Sequence, residues 1–248
     1  MKDKIIVIFL VALILVLWEA TINIFKIPPY LIPPLREIIN AIITNFESLI
    51  YDTLVTAFES LLGFLIAGIL STIVAIYITY SKTASRIILP FLIGLKAIPL
   101  IAIAPLLILW FGIDIFSKAI MAAIISFFPI VVNLIRGLKD VDHEHIELLK
   151  SFSATNFQIF KYLRVPNALP FFMAGLKIAS TLSVVGAIVG ETVGASEGIG
   201  HLILVSSLRI ETAMVFAGIL FASILGIIFY YSINTIEKRF IFWRNLND

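Results

Sequence analysis

Long apolar runs separated by short polar stretches set the pattern of this chain. They fall at Ile5–Ile24, Thr53–Tyr80, Ile87–Phe111, Lys118–Leu138, Phe171–Val193 and Ala213–Ile236. Each reaches or passes the roughly 20 residues that a helix needs to cross the hydrocarbon core of a bilayer. The pattern predicts an all-α integral membrane protein of about six transmembrane helices. The first run follows Lys2 and Lys4, but it continues to Trp18 without a small-x-small cleavage site, and Glu19 comes next. It reads as a retained helix rather than a signal peptide.

Between the runs, two stretches carry their own patterns. Residues 27–34, IPPYLIPP, exclude regular helix and predict an extended crossing of the surface. A helical pattern resumes over Leu35–Leu49, as a short helix at the interface. The longest polar interruption is ELLKSFSATNFQIFKYLRVPNALP, residues 147–170. Asp140 or Asp142 can cap a first short helix with Ile146, Leu149 and Phe152 on one face. Thr155 followed by Gln158 has the form of a capping box and starts a second, with Phe157, Phe160 and Leu163 along one side. Pro166 is expected to stop this helix before the next span, and Pro170 suits the first turn of that span.

The third run contains Pro90, Pro99 and Pro105, so it is expected to be kinked or partly broken. Breaks at membrane depth are tolerated where protein or a water-filled cavity satisfies the freed carbonyls, which places Pro99 and Pro105 as candidates for the border of a pathway. Lys96 lies in the same run, where a central cation needs a partner or water, and it is a second candidate for that pathway. Glu191 is expected near the outer end of the fifth run, as part of a gate or a loop contact. Gly186, Gly190 and Gly194 form two overlapping small-xxx-small steps, an internal contact or a homodimer seam. The stretch around Gly194, Gly198 and Gly200 has no strand-turn-helix context and reads as a flexible outer loop, not a nucleotide fingerprint.

Composition and charge then narrow the class. Hydrophobic residues make up 60% and charged residues 14% of the 248, against roughly 45–50% and 25% in soluble domains. The formal net charge of +2 and the scattered basic residues argue against nucleic acid as a partner. With no cysteine there is no disulfide framework, Cys-ligated metal site or thiol catalysis. His143 and His145, two apart on a helix, diverge by about 200° and do not converge on one metal. With the N-terminus inside, one side collects Lys2, Lys4, Lys82, Arg86, Arg136, Lys139, Lys150, Lys161, Arg164, Lys238, Arg239 and Arg244. The other has Lys26, Arg36, Lys118 and Arg209. The asymmetry predicts a multi-pass protein of the cell membrane with both termini and the 140–170 loop in the cytoplasm.

That loop carries a resemblance. Glu147-Leu148-Leu149, with Pro170 closing the motif, resembles the E-A-A-x-x-x-G signature loop of permease subunits of binding-protein-dependent ABC transporters. Arg164-Val165-Pro166-Asn167-Ala168-Leu169-Pro170 is similar to the V-x-L-P-x-A-L-P ending found in that family. The family's glycine falls on Ser153, which implies a somewhat different turn. Pro99 to Leu106 with Trp110-Phe111-Gly112 looks like the nitrate, sulfonate and taurine branch. So do Gly190-Glu191, Gly198-Ile199-Gly200, Glu237-Lys238-Arg239 and Trp243-Arg244.

The resemblance implies a type I importer permease: a single domain over 1–248, with a core region over 53–240 and a cytoplasmic coupling loop over 140–170. Glu147, Leu148, Leu149, Ser153, Ala154, Phe157, Pro166 and Pro170 would couple to a cytoplasmic ATPase, which would bind ATP and magnesium. A homodimer of the permease would form the pore, and an extracytoplasmic solute-binding protein would deliver nitrate, a sulfonate, taurine or a similar anion, or else a neutral vitamin precursor. This chain has no G-x-x-x-x-G-K-[ST], so no ATPase, catalytic, cofactor or metal site is expected on it. An intramembrane enzyme would need an H-E-x-x-H or paired membrane aspartates, which the sequence lacks. His201 with Ser206 or Ser207 is open to water. An ATP-independent carrier would leave the helical loop unexplained, and no inverted repeat supports one.

Overall fold

The computed structural model describes residues 2–241, and the described residues fold as helices joined by short turns. In lipid a backbone must satisfy its own polar groups, which leaves helices as the solution for a chain this apolar. Four helices among the described residues are long and apolar enough to cross a membrane: Phe46–Tyr80, Ile115–Lys139, the continuous Asn156–Gly194 and Thr212–Phe240.

In chain order, α1 is Lys2–Phe25, α2 Leu35–Thr44, α3 Phe46–Tyr80 and α4 Lys82–Ala97. Then come α5 Leu100–Phe111, α6 Ile115–Lys139, α7 His143–Ser151 and α8 Asn156–Ile159. A π-helical turn, Phe160–Arg164, leads into α9 Val165–Gly194, followed by α10 Ile199–Leu208 and α11 Thr212–Phe240. The third apolar run is therefore two helices. Pro99 takes an extended conformation (φ −62°, ψ 120°) and caps α5, because a proline N–H is missing where α4 would continue. Pro90 and Pro105 lie inside α4 and α5.

The interfacial helix is shorter than its pattern. It ends at Thr44, and Asn45 (φ −113°, ψ 24°) turns the chain into α3, which absorbs Phe46–Leu49. The proline stretch before it is a turn rather than an extended crossing, with the Leu31 N–H donating to the Pro28 carbonyl at 2.9 Å. It is tied to α1: Trp18 Nε1 donates to the Pro33 carbonyl at 3.2 Å, and Glu19 Oε2 accepts the Leu35 N–H at 3.3 Å.

The core lies where α6 packs between α3 and α9. The small-xxx-small stripe of α9 faces inward on this seam. A Cβ on Gly186 would sit 2.6 Å from Ala122 Cα, and one on Gly190 would lie 3.0 Å from Lys118 Cγ. The stripe is thus an internal contact, close enough that any side chain at 186 would force the helices apart.

Pro166 does not stop the second loop helix; the rod runs unbroken from Asn156 to Gly194. In the π turn before it, the Val165 N–H reaches back to the Phe160 carbonyl. This wider turn removes the carbonyl that a proline ring would otherwise strike, and Pro166 then sits in the first turn of α9.

Candidate functional site: a coupling loop and a buried latch at the far end

Two constellations sit at opposite ends of α9. At its start, α7 and α8 form the angled pair expected from the sequence. Asp142 stands at the N-cap of α7 but makes no capping hydrogen bond; its carboxylate lies 3.5 Å from His145 Nδ1. Glu147 lies 3.2 Å from His143 Nδ1, with both side chains largely exposed. The two imidazoles are thus occupied on different partners. The capping box of α8 is formed, with Thr155 and Gln158 each satisfying the other's backbone N–H.

The turn between the helices is a Schellman motif. Ser153 adopts φ +59°, its N–H donates to the Lys150 carbonyl at 2.8 Å, and the Ala154 N–H donates to the Leu149 carbonyl at 3.0 Å. The left-handed position that usually takes glycine is held here by serine. The turn has the ordinary geometry, at the steric cost of a Cβ in that region.

Leu148, Phe152 and Phe157 are exposed, while Ile146 and Leu149 are half-buried and Ile159 is buried. Exposed aromatic and leucine side chains on a rigid pair of helices suit contact with another protein. The pair is fastened to the body from below. Arg164 Nη1 donates to the Leu138 carbonyl at 3.0 Å. Asn167 Nδ2 donates to the carbonyls of Gly137 at 3.0 Å and Asp140 at 2.6 Å. These carbonyls at the end of α6 are among the acceptors that a helix leaves unsatisfied. Phe160 packs edge-on to Tyr80 of α3, centroids 5.7 Å apart. Displacing α7 and α8 therefore pulls on α6 and α9 together, with α3 attached through Phe160. Pro170 lies half-buried within α9. Arg164 and Asn167 carry this fastening; nothing in their spacing marks them, since their partners are backbone carbonyls.

At the far end of α9, Glu191 is fully buried. Its Oε2 accepts the Gly200 N–H at 2.6 Å, and its Oε1 accepts the Thr56 hydroxyl at 2.6 Å. Thr56 Oγ1 in turn accepts the Ile199 N–H at 2.9 Å, and Asp52 Oδ1 accepts the Gly198 N–H at 2.9 Å. Three backbone donors at the start of α10, which has no helical acceptors for them, are thus taken by side chains from α3 and α9. Carboxylates also suit the positive end of the helix dipole. Gly198 has φ +102°, and a Cβ there would collide with the Glu191 carboxylate. The stretch expected as a flexible loop is instead a helix start pinned by buried acceptors.

Glu59, one turn from Thr56, is also buried, beside Glu191. Among the described residues no donor reaches its Oε2. Lys118 is buried as well and donates to the Ile113 carbonyl. A cleft of ≈ 700 Å³ opens beside this latch, lined among others by Glu37, Asp52, His201, Ser206 and Arg209.

Pro99 and Pro105 are exposed on α5, apart from both constellations. The side chain of Lys96 lies outside the described residues, as do Trp243 and Arg244. A further polar contact crosses the bundle nearer the coupling end, where Lys177 of α9 pairs with Glu237 of α11, both largely buried.

Residues 60–242 match the family described as the binding-protein-dependent transport system inner membrane component. The chain belongs to this family. It is 34% identical to a probable ABC transporter permease protein of Haemophilus influenzae, covering 94% of this chain and 95% of that one. It is also 34% identical to the formylaminopyrimidine transport permease protein ThiX of Halalkalibacterium halodurans, covering 94% and 93%. A putative aliphatic sulfonates transport permease protein, SsuC of Bacillus subtilis, is 30% identical, covering 77% and 69%. Among solved structures, inward-facing MetNI, a methionine ABC transporter, superposes with a TM-score of 0.68 over 78% of this chain and 96% of that chain, at 14% identity. The fold is that of an importer permease, and the chain is a multi-pass membrane subunit of an ABC transport system.

Proposed function

We propose that two copies of this permease form a pore, and that each docks α7 and α8 into a cytoplasmic ATPase carrying ATP and magnesium. Both termini and the coupling loop face the cytoplasm, where the basic residues collect. An extracytoplasmic binding protein delivers solute at the opposite end, beside the cleft at His201 and Arg209. The observation that carries this reading is the loop itself: Leu148, Phe152 and Phe157 are exposed on helices that Arg164 and Asn167 fasten to the end of α6. Glu147, on the exposed side of α7, is assigned to the ATPase contact. In the reconstituted transporter, Glu147→Arg is expected to reduce co-purification of the ATPase severalfold and to lower uptake in proportion. Full complex yield with normal uptake would remove the assignment. Mutating the Walker lysine of the partner ATPase should stop transport altogether; an ATP-independent carrier would continue.

For the cargo, the likeness to the formylaminopyrimidine permease extends over nearly the whole chain and supports a small heterocyclic vitamin precursor. The likeness to the sulfonate permease supports an anion, and Lys96 is the residue that would favour one. Lysine 118 does not serve, because its ammonium is buried on the Ile113 carbonyl. Uptake of labelled formylaminopyrimidine and of taurine by the reconstituted complex, with wild type and Lys96→Met, separates the two. The heterocycle reading predicts pyrimidine uptake that Lys96→Met leaves unchanged, and taurine-only uptake that Lys96→Met weakens would replace it.

A further inference from the structure

Arg86 and Lys139 meet at the basic end of the bundle, on different helices, around a cleft of ≈ 280 Å³ lined also by Ile78, Thr79 and Ser85. Lys139 Nζ lies 3.2 Å from Ser85 Oγ, to which it donates. Both cations are exposed, and neither forms an ion pair among the described residues. Thr79 spends its hydroxyl proton on the Ala75 carbonyl at 2.7 Å, so the donors that remain for a ligand are the guanidinium, the ammonium and Ser85. That set fits a phosphate group.

The surroundings indicate where the phosphate comes from. The cleft lies at the ends of α3 and α6 and the start of α4, where spanning helices leave the hydrocarbon. Its floor is the buried Ile78. Next to Arg86, Ile87 and Phe91 are 66% and 64% exposed and share one face of α4. Apolar side chains standing outward beside a basic cleft match acyl chains below a headgroup. Leu92 of α4 is buried, with Ile88 and Leu89 packed against the same core, so Arg86, Ile87 and Phe91 are among the residues this part of the helix leaves outward. Basic clefts between spanning helices on the cytoplasmic side are known to take anionic lipid headgroups.

We propose that Arg86, Lys139 and Ser85 form a site for the phosphate of an anionic phospholipid, which bridges α4 to α3 and α6. The proposal rests on the basic end facing the cytoplasmic leaflet, as in the preceding section.

The test uses the full permease with its ATPase in nanodiscs of phosphatidylcholine, with or without phosphatidylglycerol, read by native mass spectrometry of retained lipid and by thermal unfolding. Wild type should retain phosphatidylglycerol preferentially and unfold at a higher temperature in its presence. Arg86→Gln with Lys139→Gln should lose roughly 30-fold or more in that preference, since two direct charge-assisted hydrogen bonds to the phosphate go. The pair Lys238→Gln and Arg239→Gln, equally exposed at the end of α11, should keep it. Equal behaviour of wild type in both lipids, or a preference that survives in the Arg86 and Lys139 variant, would overturn the site. Inorganic phosphate giving the same thermal shift in phosphatidylcholine alone would make it a free-anion site. If the double variant instead loses the ATPase in phosphatidylcholine, the cleft is a protein contact. None of these lipid outcomes depends on uptake, so they stand apart from the transport reading.

Discussion

Thr56 and Glu191, 135 residues apart in the chain, are joined by a buried hydrogen bond of 2.6 Å. Each also accepts a backbone N–H from the start of α10, Ile199 for Thr56 and Gly200 for Glu191. The far end of α9 is thereby locked to α3 and to a short helix before α11. Since α9 continues from α7 and α8 at its other end, one rod links the two constellations, and movement at α7 and α8 reaches this latch through a single element.

Glu191→Ala leaves the Gly200 N–H without its acceptor and turns the Thr56 hydroxyl to the Asp52 carbonyl, already 3.0 Å away, at a cost of about 2 kcal/mol for the lost bond to a buried carboxyl group. The purified permease should unfold at a clearly lower temperature while still binding its ATPase, and uptake should fall. Glu191→Gln keeps one acceptor oxygen and should lose about half as much. If Glu191→Ala unfolds at the wild-type temperature, the latch has no structural weight.

Ser153→Gly is expected to stabilise the coupling loop by about 1 kcal/mol, because it removes a Cβ from a left-handed residue. Slower amide exchange at Ser153 and Ala154 would report it, with ATPase coupling retained. Ser153→Val should do the opposite, since a β-branched side chain is least tolerant of φ +59°. Equal exchange in all three proteins would count against strain at this turn.

Lys177→Met should destabilise the bundle by about 3–5 kcal/mol, because it strands Glu237 as an uncompensated buried charge. Combining it with Glu237→Leu should recover most of the loss, as an apolar pair of similar volume replaces the ions. Unfolding midpoints of the two single variants and the double close the cycle, and additive losses would show that the pair is not coupled.

Gly186→Val should prevent folding of the single subunit, since its side chain enters space already filled by Ala122. Low yield of monomer and dimer alike is the expected result. A stable monomer that only fails to pair would return the glycine stripe to the dimer seam.

Much of this could be read along the chain, where the governing forces are local. Apolar runs of spanning length, the proline break ahead of α5, the Thr155–Gln158 box and the Glu147 loop each follow from neighbouring residues. The different turn expected at Ser153 did not form, because serine takes the left-handed conformation of the glycine it replaces. What failed were inferences about ends: Pro166 as a stop, Leu35–Leu49 as one helix, and Gly194–Gly200 as a loose loop. In each case hydrogen bonding set the outcome, through the π turn, the bend at Asn45 and the buried acceptors of α3 and α9.

The latch residues left a trace that is visible in hindsight. Asp52, Thr56 and Glu59 fall four and three residues apart, a polar stripe on one face of an apolar helix. That stripe states that α3 has a polar partner without saying which one. Glu191, Arg164 and Asn167 are in the same position: a polar group withdrawn from water in an apolar chain must be satisfied, but its partner lies at a distance that only helix packing closes. By itself, then, the sequence determined the membrane class, the helical architecture and the pair of short loop helices, because lipid and periodicity act on contiguous residues. The tertiary structure alone decided that the glycine stripe faces inward, that α10 is pinned by Asp52, Thr56 and Glu191, and that the coupling loop hangs from the end of α6. Those are matters of which surfaces approach closely enough to exclude water and lipid, and no local pattern encodes them.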